Sequence, residues 1–171
     1  MKTFTTSLSF KVLMVLTTAL FILGIVMIDS AGAGEKFKGT ATSVRTKWHP
    51  INVDDEEGHV IAVYENTNVY SKNENGETRT GISKGMIDMN VKTGKGTMKG
   101  YVVSTNPNGD KLYTRTEGQL IGNGQAEGIF SYVGGTGNLE GVKGSGVWKS
   151  KSIAPGISSL EVEGEREIPG K

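Results

Sequence analysis

The 171-residue sequence contains no cysteine, two histidines and four prolines. Without cysteine the chain has no disulfide, no zinc–thiolate site and no redox-active thiol. Two histidines, His49 and His59, are too few for a multi-histidine metal site. Such a chain depends on its own core for stability, which a domain of about 140 residues can supply. We expect no metal site and no other cofactor.

The chain also has almost no net charge, with 19 basic and 18 acidic residues. Residues 1–33 contain Lys2, Lys11 and Asp29, so the 138 residues that follow carry 17 charges of each sign. A nucleic-acid-binding protein needs a basic face, and docking to an anionic membrane needs basic clusters. The composition therefore argues against nucleic acid and against a membrane surface as partners.

The first 33 residues have the organisation of an export signal. Lys2 and Lys11 precede an apolar run, Val12 to Ile28, and Ala31-Gly32-Ala33 provides the small residues that a signal peptidase reads. We predict cleavage after Ala33 and export to the periplasm or out of the cell. The alternative is an uncleaved membrane anchor, for which a run of 17 residues is short, since a spanning helix needs about 20.

Residues 34–171 predict a single all-β domain. Of the 25 glycines, 23 follow residue 33, and they separate short runs rich in Val, Ile, Thr and Tyr. Short connections make neighbouring strands antiparallel, and closing the sheet removes its exposed edges. We predict an eight-stranded antiparallel barrel, with a two-sheet sandwich as the alternative. The predicted strands are 37–48, 59–70, 78–92, 97–105, 111–121, 126–133, 141–150 and 158–164.

Five glycines interrupt the predicted strands. Because glycine inside a strand commonly marks a bulge or a bend at a barrel corner, we expect bulges or bends at these positions. They are Gly81, Gly85, Gly100, Gly118 and Gly128.

Residues 125–149 resemble the C-terminal hairpin of the allene oxide cyclase and dirigent barrel superfamily. An apolar strand runs into Gly134-Gly135-Thr136-Gly137, and Leu139, Glu140, Gly141 and Gly144 follow. Upstream segments, Gly58–Ile61 and Gly94–Thr97 with Gly100-Tyr101, are similar to exported bacterial members of the group. The resemblance covers residues 37–163 and implies an eight-stranded barrel with a central hydrophobic cavity.

The resemblance also implies a class of function. Allene oxide cyclases cyclise a fatty-acid epoxide in the barrel, and dirigent proteins direct the coupling of phenoxy radicals. In both, the barrel holds a reactive apolar molecule in one conformation. The shared glycine motif is a turn element that contains no catalytic group, so no catalytic residue is transferred from it.

Three charged residues are candidates for catalysis if they face the lumen. Arg115 and Glu117 share a strand face, and an Arg–Glu pair there can orient a carboxylate or polarise a carbonyl. Glu65 shares a face with β-branched residues, where burial would raise its pKa. If these faces point outward instead, they form an ordinary charged sheet surface, which is the common place for charged residues.

The aromatic residues are candidates for ligand binding, or they simply fill the core. Period-two alternation places Tyr64 with Val60 and Ala62, and Phe130 with Tyr132. The candidate lining residues are Tyr64, Tyr101, Tyr113, Phe130, Tyr132 and Trp148.

Two further motifs have ordinary explanations. Gly134–Gly137 precedes a predicted strand rather than the helix that a phosphate-binding loop requires. Residues Asp54–Glu57 are consecutive acids without the alternating spacing of a calcium loop, which is typical of a solvated turn.

These observations support three hypotheses. The first is an exported barrel that binds a small apolar or amphipathic molecule in its lumen. The second is a cofactor-free cyclase or isomerase, and the third is a structural barrel with a filled core. Association into homo-oligomers through the outer face of the sheet is compatible with this class of barrel.

Overall fold

The structure is a computed structural model that describes residues 34–71 and 78–170. The predicted export signal, residues 1–33, lies outside the described residues, and so does the connection 72–77 between the second and third predicted strands, where the sequence Asn75-Gly76 predicts a hairpin turn. Within residues 34–71 and 78–170, no helix is long and apolar enough to cross a membrane.

Eight strands account for most of the described chain. Six are longer than predicted, the second has the predicted bounds 59–70, and the third is shorter than the predicted 78–92. The first strand, for example, extends two residues before the predicted start and four beyond the predicted end. The strands are β1 (Glu35–Asn52), β2 (His59–Tyr70), β3 (Thr80–Asn90), β4 (Lys95–Thr105), β5 (Lys111–Gly122), β6 (Gln125–Gly135), β7 (Lys143–Ala154) and β8 (Ile157–Glu167).

The sheet closes on itself. Each strand pairs antiparallel with the next strand in sequence, and β8 pairs with β1 from Glu35↔Arg166 to Val44↔Ile157. The predicted all-β, closed eight-stranded antiparallel barrel is confirmed, and the sandwich alternative is wrong. Closure leaves no sheet edge, and an eight-stranded barrel has an interior wide enough for side chains or for one small ligand.

Alternation along the strands separates the lumen from the outer surface. In β2, Val60, Ala62 and Tyr64 are buried, whereas Ile61 and Val63 are exposed. The same period of two continues through the other strands because successive side chains of a strand point to opposite faces. Many of the outward positions are apolar, so apolarity alone does not identify the luminal face.

A bulge in β1 interrupts this alternation. The register of β1 against β2 shifts between Arg45 and Lys47. An extra residue in one strand reverses the orientation of every side chain beyond it. As a result, Arg45 and Trp48, which are three residues apart, both line the lumen.

A small apolar cluster lies at one end of the barrel. Leu112 of β5 packs with Leu139 and Val142 from the β6–β7 connection, and Tyr132 and Ile168 pack against them. The connection contains a 3-10 turn, Gly137–Leu139. The carboxylate of Asp110 accepts a hydrogen bond from the Asn138 backbone N–H at 3.0 Å. The glycine-rich motif therefore forms a turn that packs against one end of the barrel.

Candidate functional site

The barrel encloses a cavity of about 540 Å³. Ligand sites typically have volumes between about 300 and 1,000 Å³. All eight strands contribute to the lining of the cavity, which includes both tryptophans of the chain, Trp48 and Trp148. The lumen is therefore large enough for a small organic molecule rather than filled by its own side chains.

Glycine pairs keep the lumen open by letting large rings lie against the wall. Gly118 and Gly128 are directly opposite in the β5–β6 ladder, and the indole of Trp148 covers them. A Cβ on Gly128 would lie 2.7 Å from Cζ2 of Trp148, closer than side chains approach. Trp148 is fixed there by a 3.1 Å hydrogen bond from its Nε1 to the carbonyl oxygen of Ile129.

Tyr64 lies over a second glycine pair, Gly85 and Gly100. A Cβ at these two positions would lie 2.8 and 2.9 Å from the Tyr64 hydroxyl. Gly81 and the four paired glycines lie in uninterrupted register, so the expectation of bulges at these positions is wrong. The register shifts occur elsewhere, and the paired glycines make space for aromatic rings.

Three aromatic rings form one cluster inside the barrel. Phe130 lies 5.5 Å from Tyr132 and 6.2 Å from Phe37, measured between ring centroids. Phe37 and Tyr132 are stacked at 6.4 Å. Rings at these separations gain favourable contacts beyond their buried area. Together with Trp148 they provide an apolar wall.

Polar side chains project inward from β2 to β5. Asn68, Ser83, Ser104 and Thr114 are buried. The Asn68 amide donates a 3.2 Å hydrogen bond to the Ser83 hydroxyl. Next to this pair, the buried Oδ1 of Asn66 has no hydrogen-bond partner. Because buried polar atoms are almost always paired, this acceptor is suited to a donor on a bound molecule.

The ionisable residues that line the lumen are arginines and tyrosines: Arg45, Arg79, Tyr64, Tyr70 and Tyr132. Burial raises the pKa of both Tyr64 and Tyr132 to about 12, against a smaller opposing effect of nearby arginines. Both phenols therefore remain neutral at physiological pH and act as hydrogen-bond donors. The Nε of Arg79 is buried without a partner.

A second depression of about 880 Å³ adjoins the lumen at the end where β2 finishes and β3 begins. Phe37, Tyr70, Arg79 and Tyr132 line both spaces. Arg79 thus lies at the junction between the lumen and this depression. Its guanidinium carbon is 4.4 Å from the centroid of the Tyr70 ring, a cation–π contact.

Four of the six aromatic candidates lie in the lumen. Tyr64, Phe130, Tyr132 and Trp148 line the cavity. Tyr101 lies on the outer face of β4 and is 58% exposed, and Tyr113 is half-buried on the outward-facing row of β5. The structure therefore brings four of the six candidates together and leaves Tyr101 and Tyr113 outside.

The charged candidates all lie on the outside of the barrel. Glu65 forms ion pairs with Lys47 and Lys84 at 3.2 and 3.3 Å. Hydrogen bonds from Lys47 and then Lys84 hold the pKa of Glu65 below its usual range, opposite to the rise expected for an inward carboxyl. Arg115 pairs with Glu117 of the same strand at 2.8 Å. These residues do not reach the lumen.

Several residues that line the lumen were not among the predicted lining residues, namely Phe37, Arg45, Trp48, Asn66 and Arg79. Asn66 was detectable, because it continues the alternating row that contains Tyr64. Arg45 and Trp48 were hidden by the bulge in β1. Arg79 lies just before the first residue of β3, so the alternation of inward and outward residues along that strand does not indicate its orientation.

The acidic segment Asp54–Glu57 forms part of a packed turn. His59 contacts the carboxylates of Asp55 and Asp88 through its two ring nitrogens, the latter at 2.8 Å. Asn90 donates a 2.9 Å hydrogen bond to Glu56, and Glu57 pairs with Lys92. Within the ranges that the structure describes, no group of three or more metal-binding side chains converges.

The His59 contacts make the stability of this turn depend on pH. Hydrogen bonds to Asp88 and then Asp55 raise the pKa of His59 above 6.5. The stabilisation is fully present below about pH 6.5 and is lost as the pH rises through the higher folded-state value. We expect the melting temperature to fall as the pH rises above about 6.5, and His59→Gln to flatten this change in thermal unfolding scans. If the dependence of the melting temperature on pH were the same in His59→Gln, its assignment to His59 would be wrong.

Comparisons with known proteins give similarities to solved structures only. No family model matches the sequence, and no curated protein matches it. The chain is similar to the pterocarpan synthase dirigent protein GePTS1, with 13% identity, a TM-score of 0.49 and coverage of 77% of this chain and 86% of that one. It is also similar to pyocyanin demethylase, with 13% identity, a TM-score of 0.44 and coverage of 75% and 99%. The closed barrel itself rests on the strand pairing of this chain.

Proposed function

We propose that this protein is an exported binding protein that holds a small amphipathic molecule in the lumen of its barrel. The observation that carries the proposal is the open cavity of about 540 Å³ with unpaired buried polar atoms, Asn66 Oδ1 and Arg79 Nε, in its lining. A purely structural barrel would fill this space with its own side chains and pair these polar atoms. Membership of the allene oxide cyclase and dirigent superfamily is part of the same proposal, supported by the hairpin at residues 134–144.

The two sides of the lumen suit the two parts of an amphipathic molecule. Phe130, Tyr132 and Trp148 offer ring surface for an apolar body. Asn66 and Ser83 offer hydrogen bonds for a polar group. A mostly apolar site with a few placed polar groups is the usual form of a small-molecule site.

Binding is testable without knowing the ligand, because both tryptophans line the lumen. Protein purified from its own host is examined by native mass spectrometry and solvent extraction, and recombinant protein is then titrated with the extracted compound. We expect a co-purified small molecule that changes the tryptophan emission and raises the melting temperature. At a concentration 100 times Kd, the ligand should stabilise the fold by about 2.7 kcal/mol.

Two results together would contradict the proposal. No molecule would co-purify with the protein, and panels of carboxylic acids, alcohols, amides and phenols would change neither its melting temperature nor its tryptophan fluorescence.

A further inference from the structure

Several hydrogen-bond donors that line the lumen have no partner among the described residues. Arg79 Nε is a buried donor without a partner. The hydroxyls of Tyr64, Tyr70 and Tyr132 line the same space, and none is hydrogen-bonded to a residue in the described ranges. Asn66 Oδ1 is the one buried side-chain acceptor of the described residues that is left unpaired. A molecule that satisfies Arg79 Nε must supply an acceptor, and each of the three phenols can donate to the same molecule.

The charge of the lumen points in the same direction. Of the described lining residues, Arg45 and Arg79 carry positive charge and none is an aspartate or glutamate. Arg166, at the same end of the barrel, is paired with Glu35. Arg79 has no carboxylate within 4 Å in residues 34–71 and 78–170. A partly buried charge without a counterion is costly, and an anion removes that cost.

Arg79 has a donor that no other described residue uses. Its guanidinium carbon lies 4.4 Å from the centroid of the Tyr70 ring, and its buried Nε donates no hydrogen bond within the described part of the chain. Tyr132 lies within electrostatic reach of Arg79, which opposes the rise in the pKa of that phenol. A planar acidic group between the two residues would accept hydrogen bonds from both.

We propose that the luminal ligand is an amphipathic anion whose acidic group is bound by Arg79. Tyr132 supplies a second donor to the same group. The apolar body of the ligand extends along Phe130 and Trp148, which continue from Tyr132 along the wall. This inference rests on the luminal binding proposed above and adds the chemical class of the ligand.

The first test compares acids with their neutral isosteres on the wild-type protein. The probes are 2-naphthoate with 2-naphthamide, and decanoate with decanamide, titrated at pH 7.5 by tryptophan fluorescence and calorimetry. A hydrogen bond to a charged group is worth about 1.5–3 kcal/mol, so the better acid should bind about 10–150 times more tightly than its amide. The naphthyl and decyl pairs distinguish an aromatic body from an aliphatic one.

The second test removes the cation. Arg79→Met should abolish the preference for the acid over the amide, and Arg79→Lys should retain part of it because the charge remains. Lys99→Met, an identical charge change on the exposed outer face of β4, should leave the preference intact. If Arg79→Met does not fold, Tyr132→Phe provides the second variant, with a smaller expected loss of preference.

The outcomes separate the two proposals. Equal binding of acid and amide by the wild type, or an undiminished preference for the acid in Arg79→Met, would contradict the proposal that the ligand is an anion bound by Arg79. Neither result would contradict binding in the lumen. Failure of all four probes to bind, together with the absence of a co-purified molecule, would overturn both.

Discussion

Replacing Gly118 by alanine is expected to destabilise the barrel by about 2–3 kcal/mol, because overpacking at a position without space costs this much. The added Cβ would overlap Cζ2 of Trp148 and lie 2.8 Å from its Cη2. It would also lie 2.5 Å from the carbonyl oxygen of Glu127 in the neighbouring strand. The melting temperature should fall by about 6–9 °C, at about 3 °C per kcal/mol for a domain of this size.

A double-mutant cycle identifies the cause of this loss. Trp148→Phe removes the two ring atoms that the new Cβ would meet, so Gly118→Ala should cost at least about 1 kcal/mol less in that background. Gly39→Ala is the matched control, because its Cβ would have only an ordinary 3.4 Å contact with Val162. Equal effects of Gly118→Ala in both backgrounds would show that the glycine pair does not serve to seat the indole.

The strand alternation was readable from the sequence because one residue in two faces each side of a sheet. Val60, Ala62 and Tyr64 were predicted to share a face, and they do. Phe130 and Tyr132 were predicted to share a face, and both line the lumen. The closed barrel followed from short connections between eight such strands.

Which of the two faces points inward was not readable for every strand. Glu65 shares its face with Ile61 and Val63, and two apolar neighbours made an inward orientation plausible. The structure turns this face outward, where Lys47 and Lys84 compensate the carboxylate. Apolar residues on the outside of the barrel thus gave a misleading signal.

Contacts between residues that are distant in sequence account for the remaining differences between the predictions and the structure. The register shift between Arg45 and Lys47 depends on pairing with β2, which no local pattern reveals. The pairing of Gly118 with Gly128 beneath Trp148 requires residues from three strands. Arg79 becomes part of the site only because barrel closure sets it near Tyr132.

Thr116→Phe is expected to abolish ligand binding while leaving the barrel folded. Thr116 lines the lumen opposite Gly100 and Phe130, so a ring at this position would occupy the space that a ligand needs. A single methylene in a binding pocket is worth about 1–3 kcal/mol, so a complete added ring should weaken binding at least about 100-fold. Because the cavity is open at Thr116, the melting temperature should change little.

The matched control is Gln119→Phe, which adds the same ring to the same strand on the exposed outer face. The decisive measurement is the tryptophan-fluorescence titration of wild type, Thr116→Phe and Gln119→Phe with the tightest ligand found. Luminal binding predicts saturable, matching curves for wild type and Gln119→Phe, and no saturable change for Thr116→Phe. Wild-type affinity in a folded Thr116→Phe variant would contradict binding inside the barrel.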